Sequence, residues 1–424
     1  MQPVAAPLKE SFVPVRVPGA VGAPYFSTHD ISKAVIVDGL DLYLAYFGQG
    51  SYVIKYDAQT KKWSPPVLLG GISDDQYRYP EIAMDHSGYI HAFYGGHGGF
   101  GPVTGFYYRR TVRPRDISEW TPEREVGKNA SLIRGTAAAF PRPYVLRDGR
   151  IILFHRGSRA DGKDYGWGYI ESSDGGRTWS EFTRLVDDEY TLYGSGTLVE
   201  REGQPPTILW GWCWWDRGVC DLGEYYSPSL AVPCKYDDAV FAAFPIGQNM
   251  YLDAGGTPHP LPVKRDVIEP LWKEEWLCVA DSTVNDQGDP VVLFGDYKAR
   301  RVDRMLVAAH TKREGWVVEE PVPGLPVAFT NMRILHAAGW TTIVCWATGE
   351  EPGLYVIQRR GTEGKWYVRR LTHQFFPYQM HPMIKEDLKS NRIHIFWGEG
   401  DRISPSRIMY GSIPLSPIDS RQGK

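Results

Sequence analysis

A short apolar and aromatic run that stops at a glycine recurs seven times along the chain. The copies are Leu42–Gly48, Tyr89–Gly95, Ile151–Gly157, Thr207–Gly211, Val291–Gly295, Thr342–Gly349 and Ile393–Gly398. Short runs rich in Val, Ile and aromatic residues and closed by glycine are typical of buried β-strands. Most copies follow one another at about 50 to 60 residues, a spacing that indicates a propeller or a repeat array. The pattern therefore predicts an all-β fold, a seven-bladed β-propeller.

The segments between these runs alternate turn residues with further strand-like stretches, so each blade is expected to hold about four strands. Residues 1–424 are predicted to form a single propeller domain, in which Phe12–Val17 could supply the strand that closes the ring against the last blade. The longest interval between runs, from Gly211 to Gly295, contains Ala239–Phe244. That stretch is either an eighth copy or an outer strand, and we favour the outer strand.

Ser172–Trp179, with the sequence SSDGGRTW, fits the aspartate-box hairpin pattern S-x-D-x-G-x-T-W. In such a hairpin the Ser and Asp side chains bond to turn amides and the Trp packs between blades. We expect a structural turn here, with no catalytic role.

Composition limits the classes of function. With 42% hydrophobic and 13% aromatic residues the chain can bury a large core, and its 45 Gly and 32 Pro suit many short elements. No apolar stretch approaches the about 18 residues that span a bilayer, so no membrane association is expected. A net charge of −3 without a basic stripe argues against a nucleic-acid partner.

The cysteines show no metal-binding spacing. Cys213, Cys220 and Cys234 are close enough in sequence for one disulfide, and the alternative is that all the cysteines are buried thiols. We expect no required cofactor. A structural calcium ion at His29, Asp30 and other channel oxygens is conceivable, although no acidic loop has calcium-binding spacing.

Polar residues cluster where the innermost strands are predicted to start, near one mouth of the central channel. They are His29–Asp30, Tyr77–Pro80, Phe140–Arg142, Asn331–Arg333 and His381–Pro382. A pocket fed by arginines, histidines and tyrosines suits an anionic ligand. The alternative is that some of these side chains only line a water-filled channel.

Several segments resemble the BNR-4 group of propeller proteins, which includes polysaccharide lyases. The likeness covers about two thirds of the chain and is weakest in the last two blades. It rests on Asp74–Glu81, Gly88–Gly98, Tyr107–Trp120, Pro141–Gly149, His155–Gly157 and Ala254–Pro262.

The resemblance implies a mechanism. Members that act on ulvan or gum-type glycans cleave next to a uronic acid: an arginine neutralises the carboxylate, and a histidine or tyrosine moves the proton. His97 corresponds to the family's catalytic histidine and Arg156 to its carboxylate-binding arginine. The chain departs from the ulvan-type pattern twice, with Tyr77 in place of a histidine and Phe140 in place of a tyrosine. His97 must then act as both base and acid, or Tyr77 must supply one role.

We therefore predict His97, Arg156 and Tyr77 as catalytic residues. Arg78, Arg142, Asn331, His381 and Trp212 are the predicted substrate-binding residues. Structural roles are the competing hypotheses: His97 could cap a turn, Arg156 could pair with an internal carboxylate, and Trp212 could belong to the core.

The function implied is that of a secreted, monomeric polysaccharide lyase acting on an acidic polysaccharide at a rhamnose–glucuronate linkage. The two departures favour a resemblance to the L-rhamnose-α-1,4-D-glucuronate lyases, which remove terminal rhamnose from gum arabic, over an endo-acting ulvan lyase. A sialidase and a glycan-binding protein are the competing hypotheses. Tyr77–Pro80 also resembles the [FY]-R-[IL]-P element of sialidases, and a non-catalytic glycan-binding propeller would need no reactive histidine.

Overall fold

The computed structural model describes residues 4–5, 11–22, 34–48, 50–70, 79–95, 105–128, 138–158, 165–188, 191–216, 235–298, 301–311, 313–361, 364–373, 382–400 and 406–416. Within these ranges the extended regular elements are all β-strands, and no helix is long and apolar enough to cross a membrane. Two strands near the N-terminus, β1 (Val4–Ala5) and β2 (Val15–Gly22), join blades formed by the rest of the chain.

The remaining strands form seven antiparallel blades in chain order. Blade I comprises β3 (Val35–Asp38), β4 (Asp41–Phe47), β5 (Ser51–Asp57), β6 (Lys62–Trp63) and β7 (Val67–Gly70). Blade II comprises β8 (Glu81–Met84), β9 (Ile90–Tyr94), β10 (Phe106–Arg113), β11 (Asp116–Trp120) and β12 (Arg124–Val126). Blade III comprises β13 (Ala139–Val145), β14 (Ile151–Ser158), β15 (Tyr165–Ser172) and β16 (Thr183–Asp187).

The second half follows the same plan. Blade IV comprises β17 (Thr191–Val199), β18 (Thr207–Asp216), β19 (Lys235–Pro245), β20 (Met250–Leu252), β21 (Pro258–Pro260) and β22 (Trp272–Glu275). Blade V comprises β23 (Leu277–Val284), β24 (Pro290–Lys298), β25 (Arg301–Thr311) and β26 (Gly315–Glu319). Blade VI comprises β27 (Val327–Ala337), β28 (Trp340–Ala347), β29 (Gly353–Arg360) and β30 (Tyr367–Arg370). Blade VII comprises β31 (Met383–Asp387), β32 (Arg392–Glu399) and β33 (Ser406–Pro414).

The first strands of successive blades form the inner ring. Strand β3 contacts β8, β8 contacts β13, β17 contacts β23, β23 contacts β27, β27 contacts β31, and β31 contacts β3. Side chains of β13 bond to the backbone of β17 and complete the circle. Strand β2 pairs antiparallel with β33, so blade VII takes its outermost strand from the N-terminal part of the chain. Strand β1 adds to blade VI by pairing in parallel with β30.

Each of the seven predicted apolar runs forms the second strand of a blade, which confirms the seven-bladed propeller. Second strands are covered on both faces by the neighbouring blades, so their sequence is apolar at consecutive positions. In β28 all eight residues are buried. Ala239–Phe244 lies within β19, the third strand of blade IV, so it is an outer strand, as predicted, and not an eighth repeat.

The aspartate box forms the turn after β15 as predicted. Oδ1 of Asp174 accepts hydrogen bonds from the backbone amides of Arg177 and Thr178 at 2.8 and 2.9 Å, and the Ser172 hydroxyl accepts one from Gly176 at 2.8 Å. The ring of Trp179 packs edge-on against Phe93 of blade II, with centroids 5.6 Å apart. The box therefore fixes the turn and ties blade III to blade II.

Candidate functional site

One mouth of the ring is defined by the ends of the second strands and the starts of the first strands, because these lie side by side in each antiparallel pair. In blade III, Arg156 near the end of β14 pairs with Ala139 at the start of β13. In blade II, Phe93 near the end of β9 pairs with Glu81 at the start of β8. The predicted polar clusters of blades II and III therefore precede or begin first strands on this side of the ring.

Arg156 is buried at this mouth, with 4% of its surface exposed. Its guanidinium carbon lies 4.6 Å from the ring centre of Phe140, a cation–π contact. The Phe140 ring in turn packs at 6.0 Å against Trp167 and at 6.3 Å against Tyr79. Arg156 thus packs against a cluster of aromatic rings in a region of low polarity. In such a region a positive charge attracts an anion more strongly than it does in water.

Phe140 has a backbone φ of 57°, in the left-handed region that non-glycine residues seldom adopt. The register between β13 and β14 shifts between Ala139 and Arg142, which marks a β-bulge at the start of β13. Strained backbone of this kind persists where packing over-determines it, and it concentrates at functional sites. The packed Phe140 ring beneath Arg156 supplies that packing.

His155 supports Arg156 from the adjacent position. It is completely buried, its Nδ1 donates to the carbonyl oxygen of Arg156 at 3.0 Å, and its ring packs against Phe106 and Phe182 at 5.1 and 4.9 Å. Burial lowers the pKa of His155 to about 4. The imidazole is therefore neutral near pH 7 and acts as a structural donor.

Charged side chains are buried along the first strands of the ring. They are Glu81, Arg142, Asp281 and Arg333. Arg142 has no exposed surface; its Nη2 donates to the carbonyl oxygen of Gly194 at 2.6 Å, and its guanidinium carbon lies 4.8 Å from the ring centre of Trp210. These contacts join blade III to blade IV, and binding of substrate by Arg142 stays a prediction.

Asp281 joins three blades. Its Oδ1 accepts hydrogen bonds from the Ser195 hydroxyl of blade IV at 2.7 Å and from the Ser282 amide at 2.9 Å. Its Oδ2 accepts one from the Ile334 amide of blade VI at 2.9 Å. Asp281 is 7% exposed, so these donors replace the water that a carboxylate needs.

Tyr144 of β13 also faces this set of charges. Its hydroxyl donates to the carbonyl oxygen of Gly196 at 2.9 Å. Burial raises the pKa of Tyr144, the positive charge of Arg142 opposes the shift, and the carboxylates of Glu81 and Asp281 add to it. The tyrosine therefore stays protonated and serves as a donor between blades III and IV.

Four predicted residues, Tyr77, Arg78, His97 and His381, lie outside the described residues, as do His29 and Asp30. The backbone of Asn331 lies in β27, and its side chain is not among those described. The predictions for these residues stay predictions.

Trp212 requires a correction. It is 0% exposed and packs edge-on against Trp214 with ring centres 5.6 Å apart, and Trp210 and Trp214 are buried too. A sugar cannot stack on a ring without free surface, so we place Trp212 in the core. The second strand of blade IV uses its tryptophans for packing between blades.

Of the cysteines in the described ranges, Cys213, Cys278 and Cys345 are buried free thiols, so Cys213 is not in a disulfide. Cys220 and Cys234 lie outside these ranges. No group of three or more His, Cys, Asp or Glu side chains among the described residues could hold a metal ion. The predicted calcium site at His29 and Asp30 falls on residues that are not described.

The predictions from the sequence did not include three buried polar residues of the first strands, Glu81, Asp281 and Tyr144. Their signal in the sequence is a charged or hydroxyl-bearing residue inside an otherwise apolar first strand, as in Val279-Ala-Asp281. An unpaired charge is costly in such a place, which indicates a partner on a neighbouring strand. The partner itself depends on which strands become neighbours in the ring.

Fold and site together define a seven-bladed propeller with a buried arginine at one mouth of the ring. The model of the BNR repeat-containing family BNR_4 matches residues 41–320, which are 280 of the 424 residues. The chain belongs to this family.

Curated relatives include an ulvan lyase of Nonlabens ulvanivorans, 33% identical over 164 residues that make up 33% of this chain and 32% of the relative. An ulvan lyase of Alteromonas sp. (strain LOR) is 25% identical over 295 residues, 61% of this chain and 55% of that protein. The chain thus spans about a third to just over half the length of these relatives.

A solved structure of a polysaccharide lyase of family PL25, an ulvan lyase bound to -[GlcA(1-4)Rha3S]-, superposes with a TM-score of 0.69. The superposition covers 95% of this chain and 96% of that chain at 16% sequence identity. It supports the same fold for both chains.

Proposed function

We propose that the protein is a polysaccharide lyase that breaks a rhamnose–glucuronate linkage by β-elimination. The observation that carries this proposal is Arg156, buried to 4% exposure on the Phe140 ring at the channel mouth. Membership of the family and the likeness to two proteins named ulvan lyases add support.

In the proposed reaction Arg156 binds the carboxylate of the glucuronate. A base removes the proton from C5, the electron pair of that bond forms the C4–C5 double bond, and the bond from C4 to the bridging oxygen breaks. Negative charge builds up on the carboxylate as C5 loses its proton. A buried guanidinium stabilises this charge without having to reorganise, which is the largest effect available to such a site.

His97 is the proposed base, and Tyr77 is the second candidate. The departing oxygen receives a proton from the same group or from the other of the two. His155 is not available for this step, because its Nδ1 is bonded to the Arg156 carbonyl and burial lowers its pKa to about 4. Its role is to hold the backbone that carries Arg156.

For the substrate we propose a chain end of a gum arabic-type glycan, from which free L-rhamnose is released and an unsaturated glucuronate remains. Phe140 supports this, because its buried ring beside Arg156 lacks the hydroxyl that the ulvan-type pattern has at this position and makes the surroundings of the arginine less polar. A sulfate would be poorly solvated in such surroundings, whereas the methyl group of an unsulfated rhamnose needs no polar partner.

The second candidate is an endo-acting ulvan lyase. It is supported by the names of the curated relatives and by the -[GlcA(1-4)Rha3S]- unit bound in the structural relative. The two candidates share the elimination chemistry and differ in the sulfate on rhamnose and in the position of the cleaved bond.

Product analysis separates the two. The protein is incubated with gum arabic and with ulvan, and the products are identified by mass spectrometry and by chromatography of free sugars. Free rhamnose from gum arabic, with residual glycan lighter by one water than the hydrolysis product, supports the first candidate. Sulfated oligosaccharides from ulvan without free rhamnose from gum arabic support the second, and products that have gained water contradict elimination.

We further propose that the protein is secreted, acts as a monomer and needs no cofactor for the reaction. A calcium ion, if one is bound, would have a structural role only. An acidic polysaccharide is an extracellular substrate, which motivates the location. Detection of the protein in the culture medium tests secretion, light scattering tests the monomer, and activity after treatment with a chelator tests the need for a metal ion.

A further inference from the structure

A positively charged concavity lies between blades II and III, away from the mouth that carries Arg156. It has a volume of about 320 Å³, within the range of small-molecule sites. Arg110 and Arg124 of blade II and Arg177 of the aspartate box line it together with Tyr108, Glu123 and Gly175. We call this concavity the arginine groove.

The arginine groove lies toward the opposite end of the blade. The aspartate box begins at Ser172, which pairs with Ile151 at the start of β14, whereas Arg156 is five residues further along the same strand. Five strand residues span about 16 Å. A ligand in the groove would therefore not contact the guanidinium of Arg156.

Two of the three guanidinium groups, those of Arg110 and Arg124, are held in place by contacts other than ion pairs. The guanidinium carbon of Arg110 lies 4.5 Å from the ring centre of Tyr89, and that of Arg124 lies 4.8 Å from the ring centre of Tyr108. Nη1 of Arg124 also donates to the backbone carbonyl of Arg177 at 2.7 Å. These contacts orient the guanidinium groups while leaving most of their N–H donors available.

The nearby carboxylates are engaged elsewhere. Glu123 accepts a hydrogen bond from the Tyr94 hydroxyl at 2.7 Å, and Asp174 bonds to the amides of its own turn. Asp85, behind the groove, accepts from Nε2 of His91 at 3.2 Å and from two backbone amides. Among the described residues none of the three arginines has a carboxylate partner within ion-pair distance.

The local charge contrasts with that of the whole chain. Three arginines and one glutamate line the groove, whereas the protein carries a net charge of −3. A planar guanidinium matches the geometry of a carboxylate or a sulfate through two parallel hydrogen bonds. Clustered positive charge that has no carboxylate partner among the described residues is thus suited to an anionic group that arrives from solvent.

We propose that the arginine groove is an accessory binding site for the carboxylate or sulfate groups of an acidic polysaccharide chain. The ligand class rests on the proposed function, and the location and charge of the site do not. A long chain held at the groove stays near the protein between reactions, which raises its effective concentration at the channel mouth. A short oligosaccharide gains nothing from such a site.

The test compares two triple variants, each in an Arg156→Ala background so that polymers are not consumed. The groove variant carries Arg110→Gln, Arg124→Gln and Arg177→Gln. The control carries Arg113→Gln, Arg147→Gln and Arg313→Gln, which removes the same charge from arginines whose side chains are 58%, 73% and 86% exposed. Binding is measured by calorimetry with dextran sulfate, with unsulfated polygalacturonate and with neutral dextran.

We expect the groove variant to bind at least one anionic polymer about tenfold more weakly than the Arg156→Ala parent, and the control to change less than about threefold. Loss on dextran sulfate identifies sulfate as the ligand group, and loss on polygalacturonate identifies carboxylate. Equal affinities of groove variant and control for both anionic polymers overturn the proposal. So does binding of neutral dextran that equals binding of the anionic polymers.

The single variant Arg177→Gln keeps the test valid if the triple variant does not fold, because the Arg177 side chain is exposed and only its backbone bonds to Arg124. We expect about a threefold weakening from this change alone. The outcome is independent of turnover. If the wild type shows no lyase activity but the groove variant binds more weakly than the control, the groove is upheld and the proposed function is refuted. If the wild type is a lyase but the groove variant and the control bind equally, the proposed function stands and the groove is refuted.

Discussion

His155 should make the stability of the propeller sensitive to acid. Burial lowers the pKa of this histidine from 6.5 to about 4, and its ring is 0% exposed between Phe106 and Phe182. In the unfolded chain the imidazole gains a proton as the pH falls through about 6.5, whereas in the folded protein it does so only near pH 4. Between these values the unfolded state binds more protons, so the free energy of unfolding declines as the pH falls.

The size of this decline follows from the difference between the two pKa values. Each tenfold change in proton affinity corresponds to about 1.4 kcal/mol, so His155 alone accounts for a loss of about 3 kcal/mol between pH 7 and pH 4. The loss begins below about pH 6.5 and is complete when the folded protein is protonated too. About 3 kcal/mol is a large part of the stability of an ordinary domain.

The variant His155→Phe isolates this contribution. It loses the hydrogen bond to the Arg156 carbonyl, which costs about 1 kcal/mol at pH 7, but its ring cannot be protonated. We therefore expect the variant to be less stable than the wild type at pH 7 and more stable at pH 4. Urea unfolding followed by tryptophan fluorescence at a series of pH values measures the two curves.

The variant His373→Asn provides the control, because it also replaces a histidine, but at an exposed position. Other groups that titrate in acid, such as His91 and Asp85, are common to all three proteins and cancel in the comparison. Parallel curves for His155→Phe and the wild type between pH 7 and pH 4 would refute the reasoning.

Three further predictions concern Arg156, Phe140 and Asp281. Replacing Arg156 by Ala should lower kcat by about 10²–10³ in a folded protein, because the donor to the developing charge is lost, and near-normal kcat in a kinetic assay removes Arg156 from the site. Phe140→Leu should lower kcat/KM by about tenfold, because the cation–π contact with Arg156 at 4.6 Å is lost. The control is Phe154→Leu, which alters the same aromatic cluster through Trp167 and should lower kcat/KM much less. Asp281→Ala should lower the free energy of unfolding by about 3 kcal/mol, because three donors from blades IV, V and VI lose their acceptor. Urea unfolding measures this, with the exposed Asp266→Ala as the control, and a loss of free energy no larger than that of the control contradicts the role of Asp281.

The repeats made the fold predictable, because each second strand must be apolar along its whole length to be covered by two neighbouring blades. The runs at Ile151–Gly157 and Thr342–Gly349 carry this signal without reference to any other part of the chain. The aspartate box was predictable for the same reason, since its hydrogen bonds stay within Ser172–Trp179.

Contacts between blades could not be predicted in this way. Trp212 and Arg142 have side chains that could serve a ligand or a joint between blades, and only the ring decides that Trp212 packs against Trp214 and that Arg142 reaches Gly194. Asp281 was missed because its partners Ser195 and Ile334 lie 86 and 53 residues away in the sequence. The left-handed backbone of Phe140 had no sequence signal either, because a phenylalanine seldom adopts it, and its ring packs under Arg156 from the neighbouring strand.

The ultraviolet absorbance of the reaction mixture tests the central claim most directly. An unsaturated uronate absorbs in the ultraviolet and a hydrolysis product does not, so the wild type with a glucuronate- and rhamnose-containing glycan should give a rising trace. Arg150→Ala, which removes an arginine from the far end of the β13–β14 hairpin, should give a similar trace, and Arg156→Ala should give a flat one. Release of reducing sugar by the wild type without ultraviolet absorbance would show a hydrolase, binding without either would show a glycan-binding propeller, and each result would contradict β-elimination.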